Sequence, residues 1–418
     1  MALNSIASQL IAPVPAMASP AIYTRTVKAF RGIARAIPSA AVLCLLLVGS
    51  EAVTTQTQNT QEPKVQEPNG PGSRGQARVR YRIADLGPAS RTTDDITFGL
   101  DQSGRIVTWY RERDFVVRAS LWDAGRKSDI GALPGYPDTY ASDINGDRVV
   151  GTSRASADTR FHRAFLRENG RMQDLGTLGG KYSRAYAVNS RGQLVGGANT
   201  ASSDTHAFLR QPGENRELID LGTLADGNYS VAEDINKSGV VVGVANLTKN
   251  GKNHAVLWDK QRIRDLGTLP HGTSSHARAI NNLGQVVGWG LDAEGDTHAI
   301  LWEHGKARDL GVLVTDPSSA WSINNRGQVV GTSGFKANRP LHAVLWERGK
   351  IVDLNDLIPP DSGWLLQGAY RINDAGTIVG IGIHGDELRA FVLTPVPSGV
   401  GGKNSNAFNA AHLIWTSG

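Results

Sequence analysis

Ala279–Gly290 reads A-I-N-N-L-G-Q-V-V-G-W-G, and after a polar gap His298–Gly311 reads H-A-I-L-W-E-H-G-K-A-R-D-L-G. The chain repeats this statement seven times. Its closing Asp-Leu/Ile element stands at Asp85, Asp129, Asp174, Asp220, Asp265, Asp309 and Asp353, at successive intervals of 44, 45, 46, 45, 44 and 44 residues. The turn element keeps the same beat, as at Asn189-Ser190-Arg191-Gly192, Asn281-Asn282-Leu283-Gly284 and Asn324-Asn325-Arg326-Gly327. A fixed period of this length marks a repeat architecture.

Within one repeat the apolar residues alternate or run in short blocks, and no stretch after residue 77 keeps a helical period for three turns. The copy at 319–354 predicts strands over Ser319–Asn324, Gln328–Ser333, Leu341–Glu347 and Ile351–Leu354. Glycine at 327 supplies the positive φ of a bulged hairpin, and Arg348-Gly349 forms a second tight turn. Four antiparallel strands every 45 residues or so describe a propeller blade. The two ends carry complementary fractions of a repeat. Tyr81–Gly87 is a lone fourth strand, whereas the last copy stops after three, Gly368–Leu393. The expected fold is therefore all-β, a seven-bladed β-propeller of 45-residue repeats closed by its N-terminal strand. A β-solenoid gives no reason for such complementary ends.

The patterns D-L-G-T-L-x-G (Asp174–Gly180), I-N-N-x-G-Q-V-V-G (Ile323–Gly331) and H-A-x-L-W (His342–Trp346) resemble the HAF repeat family of extracellular bacterial proteins over residues 81–395. The resemblance implies secretion and a propeller-like fold, and carries no settled activity. Arg118, Arg163 and Arg389 stand where the pattern has His, and Asn355 where it has Gly.

The segments outside the repeats complete the layout. Residues 1–52 read as an export signal region: Lys28, Arg31 and Arg35 precede the apolar run Ile37–Gly49, with small residues before a cut after Ala52. The run is short for a membrane span, so membrane attachment is expected only if it stays uncleaved. Both Met1 and Met17 fit as the start. Residues 53–77 hold three prolines, five glutamines and no aromatic, and read as a disordered linker. Residues 78–397 form the propeller, and 398–418 a C-terminal tail that matches neither a blade nor a sorting signal. The expected localisation is secreted, periplasmic or on the cell surface.

Composition excludes several chemistries. Cys44, the one cysteine, lies in the signal region, so cysteine nucleophiles, disulfides and cysteine-ligated zinc are not expected in the mature chain. The net charge of +5 falls to +2 after residue 52, without a basic stripe interleaved with aromatics, so nucleic acid is not an expected partner. His206, His254, His298 and His342 share their repeat position with arginines, which cannot ligate a metal. They are expected to hold a neighbouring strand. The seven aspartates are expected to accept backbone N–H bonds at a turn, and Trp122, Trp258, Trp302 and Trp346 to pack between blades. Neither a metal nor a cofactor is expected.

A residue used in every blade serves the blade, so function is sought where copies disagree. Two residues before the Ile-Asn step they read Phe98, Ser142, Tyr186, Glu233, Arg278, Trp321 and Tyr370. Together with the preceding varied loops, this selects Tyr186, Glu233, His276, Arg278, Trp321 and Trp364 as a binding set on the propeller rim, for a protein or carbohydrate ligand. The leading function is an exported, monomeric, non-enzymatic binding or scaffold module. The alternative is a secreted hydrolase or lyase acting on polysaccharide or peptide, with Glu233, His276 and Arg278 as acid, base and anion clamp, which needs them within a few ångströms. A surface-tethered structural protein is the third class. Catalytic motifs such as G-x-S-x-G or H-E-x-x-H are absent from the sequence.

Overall fold

The computed structural model describes residues 79–396 apart from 90–97, 112–115, 156–160, 214–216, 261 and 335–339. The chain divides into two units, Met1–Ala77 and Arg78–Gly418, and all described residues lie in the second. The export region, the linker and the tail fall outside the described residues.

Seven four-stranded antiparallel sheets form a ring, a β-propeller. Blade 1 runs from Gly99 to Asp129, blade 2 from Asp138 to Asp174, blade 3 from Gly179 to Asp220, blade 4 from Ser230 to Asp265, blade 5 from Ser275 to Asp309 and blade 6 from Thr315 to Asp353. Blade 7 takes three strands from Trp364–Pro395 and its fourth from Tyr81–Pro88. The closing register runs Tyr81↔Pro395 through Asp85↔Phe391. In each sheet the strands lie in chain order, and the first strands of neighbouring blades touch one another around the whole ring, so they are innermost. In blade 6 the strands are Thr315–Ile323, Val329–Gly334, His342–Glu347 and Lys350–Asp353, each within a few residues of expectation.

The repeated residues explain the blade. Asp Oδ1 accepts the amide of the residue two further on, at 2.7 Å for Gly87, Gly131, Gly222, Gly267 and Gly311. The other oxygen accepts from His Nδ1, at 2.8 Å for Asp220, Asp265 and Asp309, which staples the third strand to the fourth. Arg389 does the same to Asp85 at 2.6 Å. Asn355, in place of Gly, opens into the short 3-10 helix Leu354–Leu357, and its side chain bonds the Leu366 amide at 2.7 Å. In the second strand Gly151, Gly196, Gly243, Gly288, Gly331 and Gly380 are obligatory for space: an added Cβ would stand 1.9–2.0 Å from a first-strand carbonyl oxygen.

Packing is concentrated between blades. Seven clusters of buried apolar residues fill the seven joints, and Trp258, Trp302 and Trp346 lie in three of them. Polar bonds run beside them. Asn Nδ2 donates to the backbone oxygen at the equivalent position of the next blade: Asn189 to Asn236 (3.0 Å), Asn236 to Asn281 (3.3 Å), Asn281 to Asn324 (3.1 Å), Asn324 to Asn373 (3.0 Å) and Asn373 to Asp101 (3.1 Å). The remaining two joints use carboxylates: Val117 N donates to Asp138 at 3.0 Å, and Val188 N to Asp143 at 2.9 Å. Buried serines make a third set. Ser230 Oγ accepts the Ala207 amide at 2.8 Å and donates to Gly222 O at 2.7 Å, and Ser275 repeats this one blade later.

Closure by Tyr81–Pro88 makes the seventh joint equal to the others. Deleting residues 78–87 would leave Glu387–Pro395 as an unpaired edge over an open core face, and such edges template aggregation. The expected outcome is loss of the cooperative melt and aggregation, whereas deleting 53–76 leaves the melt unchanged. Calorimetry with light scattering checks both; a 78–87 deletion that melts like the parent contradicts the closure.

Candidate functional site

The varied position is a β-bulge. In blades 2 to 7 the ladder between first and second strands slips at Ser142, Tyr186, Glu233, Arg278, Trp321 and Tyr370. A bulged residue is free of the ladder and its side chain can be re-aimed. The residue before each bulge is a fully buried alanine (141, 185, 232, 277, 320 and 369), which lets neighbouring blades close in behind it. Sequence reading missed that alanine, although its recurrence beside the varied position was its signal.

Burial divides the seven positions. Phe98, Ser142 and Tyr370 are 5%, 4% and 8% exposed and belong to the core. Tyr186, Glu233, Arg278 and Trp321 are partly exposed and come from consecutive blades 3 to 6. Contacts join the last three. Glu233 Oε1 accepts from His276 Nε2 at 3.0 Å and from Arg278 Nη1 at 3.3 Å. The Arg278 guanidinium lies 4.7 Å over the Trp321 ring, and Trp321 meets Tyr370 edge-on at 5.2 Å. Tyr370 in turn stacks on Phe98 at 5.8 Å, and His276 packs beside Trp289 at 5.7 Å. Tyr186 bonds Arg184 and feels the charges of Glu233 and Arg278.

Two expectations need correction. The position lies third from the last residue of its inner strand, next to the Asn turn rather than at the strand entrance, so the arc sits within the ring and not on the loop rim. The bulge, which the alternating pattern does not reveal, is what turns these side chains. Trp364 begins its strand opposite His384 and stacks on it at 4.7 Å, with Phe391 edge-on at 6.0 Å; it packs against the core between blades 6 and 7 and does not join the arc.

The electrostatics set the charge state. Burial pushes the Glu233 carboxyl up, but the Arg278 charge and the His276 hydrogen bond outweigh it and hold it at about 2. His276 is pushed below the usual imidazole range by burial and by Arg278, against the pull of Glu233. Glu233 and Arg278 are therefore an ion pair at neutral pH beside a neutral imidazole. Next to the bulge, Asp143 and Asp234 bond the next blade's amides, Val188 N and Ile280 N, each at 2.9 Å. Burial raises both carboxyls, Asp143 to about 7, with Arg371 opposing. Their blade-to-blade role was missed, since only these two blades place Asp directly before Ile. Among the described residues no three His, Cys, Asp or Glu side chains are grouped to hold a metal.

A family described as a protein of unknown function, DUF3466, matches residues 182–309. No curated protein matches the chain. Among solved structures it is similar to a puromycin-hydrolysing peptidase of Mycobacterium tuberculosis, with 12% identity, TM-score 0.48 and coverage of 78% of this chain. The present chain spans about half of that protein, 52%. TolB from Acinetobacter baumannii is similar at 11% identity and TM-score 0.39, covering 70% of this chain and 80% of that one. AofleA from Arthrobotrys oligospora is similar at 13% identity and TM-score 0.37, covering 65% and 89%. These distant likenesses leave ligand and activity open.

The shifted carboxyls predict opposite pH dependences. Asp143 has a folded pKa of about 7, above its unfolded value of about 3.9, so the stability it contributes is full below about pH 4 and lost as pH rises through 7. Asp143→Asn should gain nothing in Tm at pH 4 and show its full gain by about pH 7. Glu233 is depressed, so its contribution is present above about pH 4.3 and lost as pH falls toward 2. Glu233→Gln should lower Tm at pH 7, with the deficit closing on acidification. Melts across pH check both, and pH-independent differences contradict them.

Proposed function

We propose that the protein is an exported, non-enzymatic propeller that binds its partner through the arc of Tyr186, Glu233, Arg278 and Trp321, with His276 as a supporting group. One observation carries the reading: the varied positions that remain accessible come from four consecutive blades, and the His, Asp, Asn, Ser and Trp residues of the repeat are engaged in holding blades and joints. Residues that break a ring's symmetry can give one bound partner a defined orientation. Export rests on the resemblance to HAF repeats and on the order of charge, apolar run and small residues before Val53.

The hydrolase or lyase reading draws support from proximity, since His276 Nε2 and Arg278 Nη1 lie 3.0 and 3.3 Å from Glu233 Oε1. Its chemistry fits poorly. A general acid or base works best with a pKa near the working pH, and Glu233 is held at about 2.

The test pairs two tryptophans. On arrays of bacterial surface glycans and of peptides, Trp321→Ala and Tyr186→Ala should each weaken the best binder by about 1–3 kcal/mol with Tm nearly unchanged. Trp302, only 2% exposed between blades 4 and 5, should cost about 3–5 kcal/mol of stability when cut to Ala. Unfolding by Trp321→Ala as severe as that of Trp302→Ala would assign the position to the core and remove the basis of the site.

A further inference from the structure

The outer strands carry a second repeat pattern, a cation three residues before each aspartate: Arg82, Arg126, Arg171, Arg262, Lys306 and Lys350. Only blade 3 departs, with Glu217. All six are exposed, and among the described residues none has an ion-pair partner. Five of them open the outer strand directly after the third-to-fourth turn, in register with Asp123, Glu168, Asp259, Glu303 and Glu347. Three of those acids are drawn to inner partners: Glu168 to Arg148 Nε at 2.7 Å, Glu303 to Gln285 Nε2 at 2.6 Å and Glu347 to Gln328 Nε2 at 3.1 Å. The cations are left around the outer edge of the face that holds the turns. The aspartates that end the same strands lie on the opposite, loop face, with Asp204 and Asp292 near them. Asp123, Asp147 and Asp259 are exposed on the turn face as well, so the small net charge hides a partial segregation by face.

We propose that the turn face docks on an anionic phospholipid surface. A small ligand could meet one or two of these cations, whereas a plane meets the whole circumference at once, and repeated cations near an anionic bilayer add their attractions. A surface cavity on this face is lined by Arg326, Gly327, Gln328, Glu347 and Arg348, and the Glu347 in its wall is engaged by Arg80. Both ends of the described chain leave here: Arg80 pairs with Glu347 at the turn, and Val396 N donates to Arg80 O at 2.8 Å.

The test is co-sedimentation of the full chain with vesicles of phosphatidylcholine alone and with a 30% share of phosphatidylglycerol, at low salt and in about 0.5 M NaCl, where exposed charges are screened. The excess partition onto anionic vesicles should fall at least tenfold in high salt. It should fall as far in the variant Arg126→Gln, Arg171→Gln, Arg262→Gln, Lys306→Gln, Lys350→Gln, whose melt should match the parent. Lys249→Gln with Lys252→Gln, on the loop face, should leave it unchanged. Equal partition onto both vesicles, retention by the five-site variant, or binding confined to a soluble polyanion such as alginate would overturn the proposal.

Discussion

The structure depends on side-chain hydrogen bonds that cross every joint between neighbouring blades. Five asparagines reach across to the next blade's backbone, and Asp138 and Asp143 complete the circuit. Each such asparagine also closes its own turn, as Asn189 Oδ1 does by accepting the Arg191 and Gln193 amides at 3.0 Å. Turn geometry and blade spacing are thereby set by one side chain. A buried bond left half made costs about 1–3 kcal/mol, so no joint can be released without penalty. The fourth strand of blade 7 must come from the far end of the chain for the circuit to close.

Much of this was legible because it is local. The 45-residue beat, the glycine turns, the half-repeats at the ends and the aspartates that accept a turn amide two residues on are legible along the chain, whereas the pairing of His or Arg with those aspartates is not. What the sequence concealed lies between one blade and the next: the Ser230 bridge from Ala207 to Gly222, the Asn belt, and the Asp143 bond to Val188. The bulge is a further case. Alternation places Tyr186, Glu233, Arg278 and Trp321 on a strand but not at a slip in its register, and so the arc was expected at the rim. Trp364 was grouped with them by its aromatic character, whereas the register opposite His384 decides its place.

Repetition also separates tasks across the disc. The inner bulge breaks the symmetry and offers one irregular arc. The outer strands keep it and offer one cation per blade, blade 3 excepted. Composition averages these away, since a cation and an acid three residues apart cancel in the net charge while standing on opposite faces.

The central claim is that the closed circuit makes the ring one cooperative unit, and native-state hydrogen exchange measures this directly. The amides of Gln193, Val240, Gln285, Gln328 and Thr377 each donate to the belt asparagine of their own blade at 3.0 Å. All five should exchange only through global unfolding, with one common free energy and one denaturant dependence. If Thr377, in the blade that the N-terminal strand completes, exchanges at a markedly lower free energy than Val240, blade 7 opens by itself and the circuit is not what holds the ring.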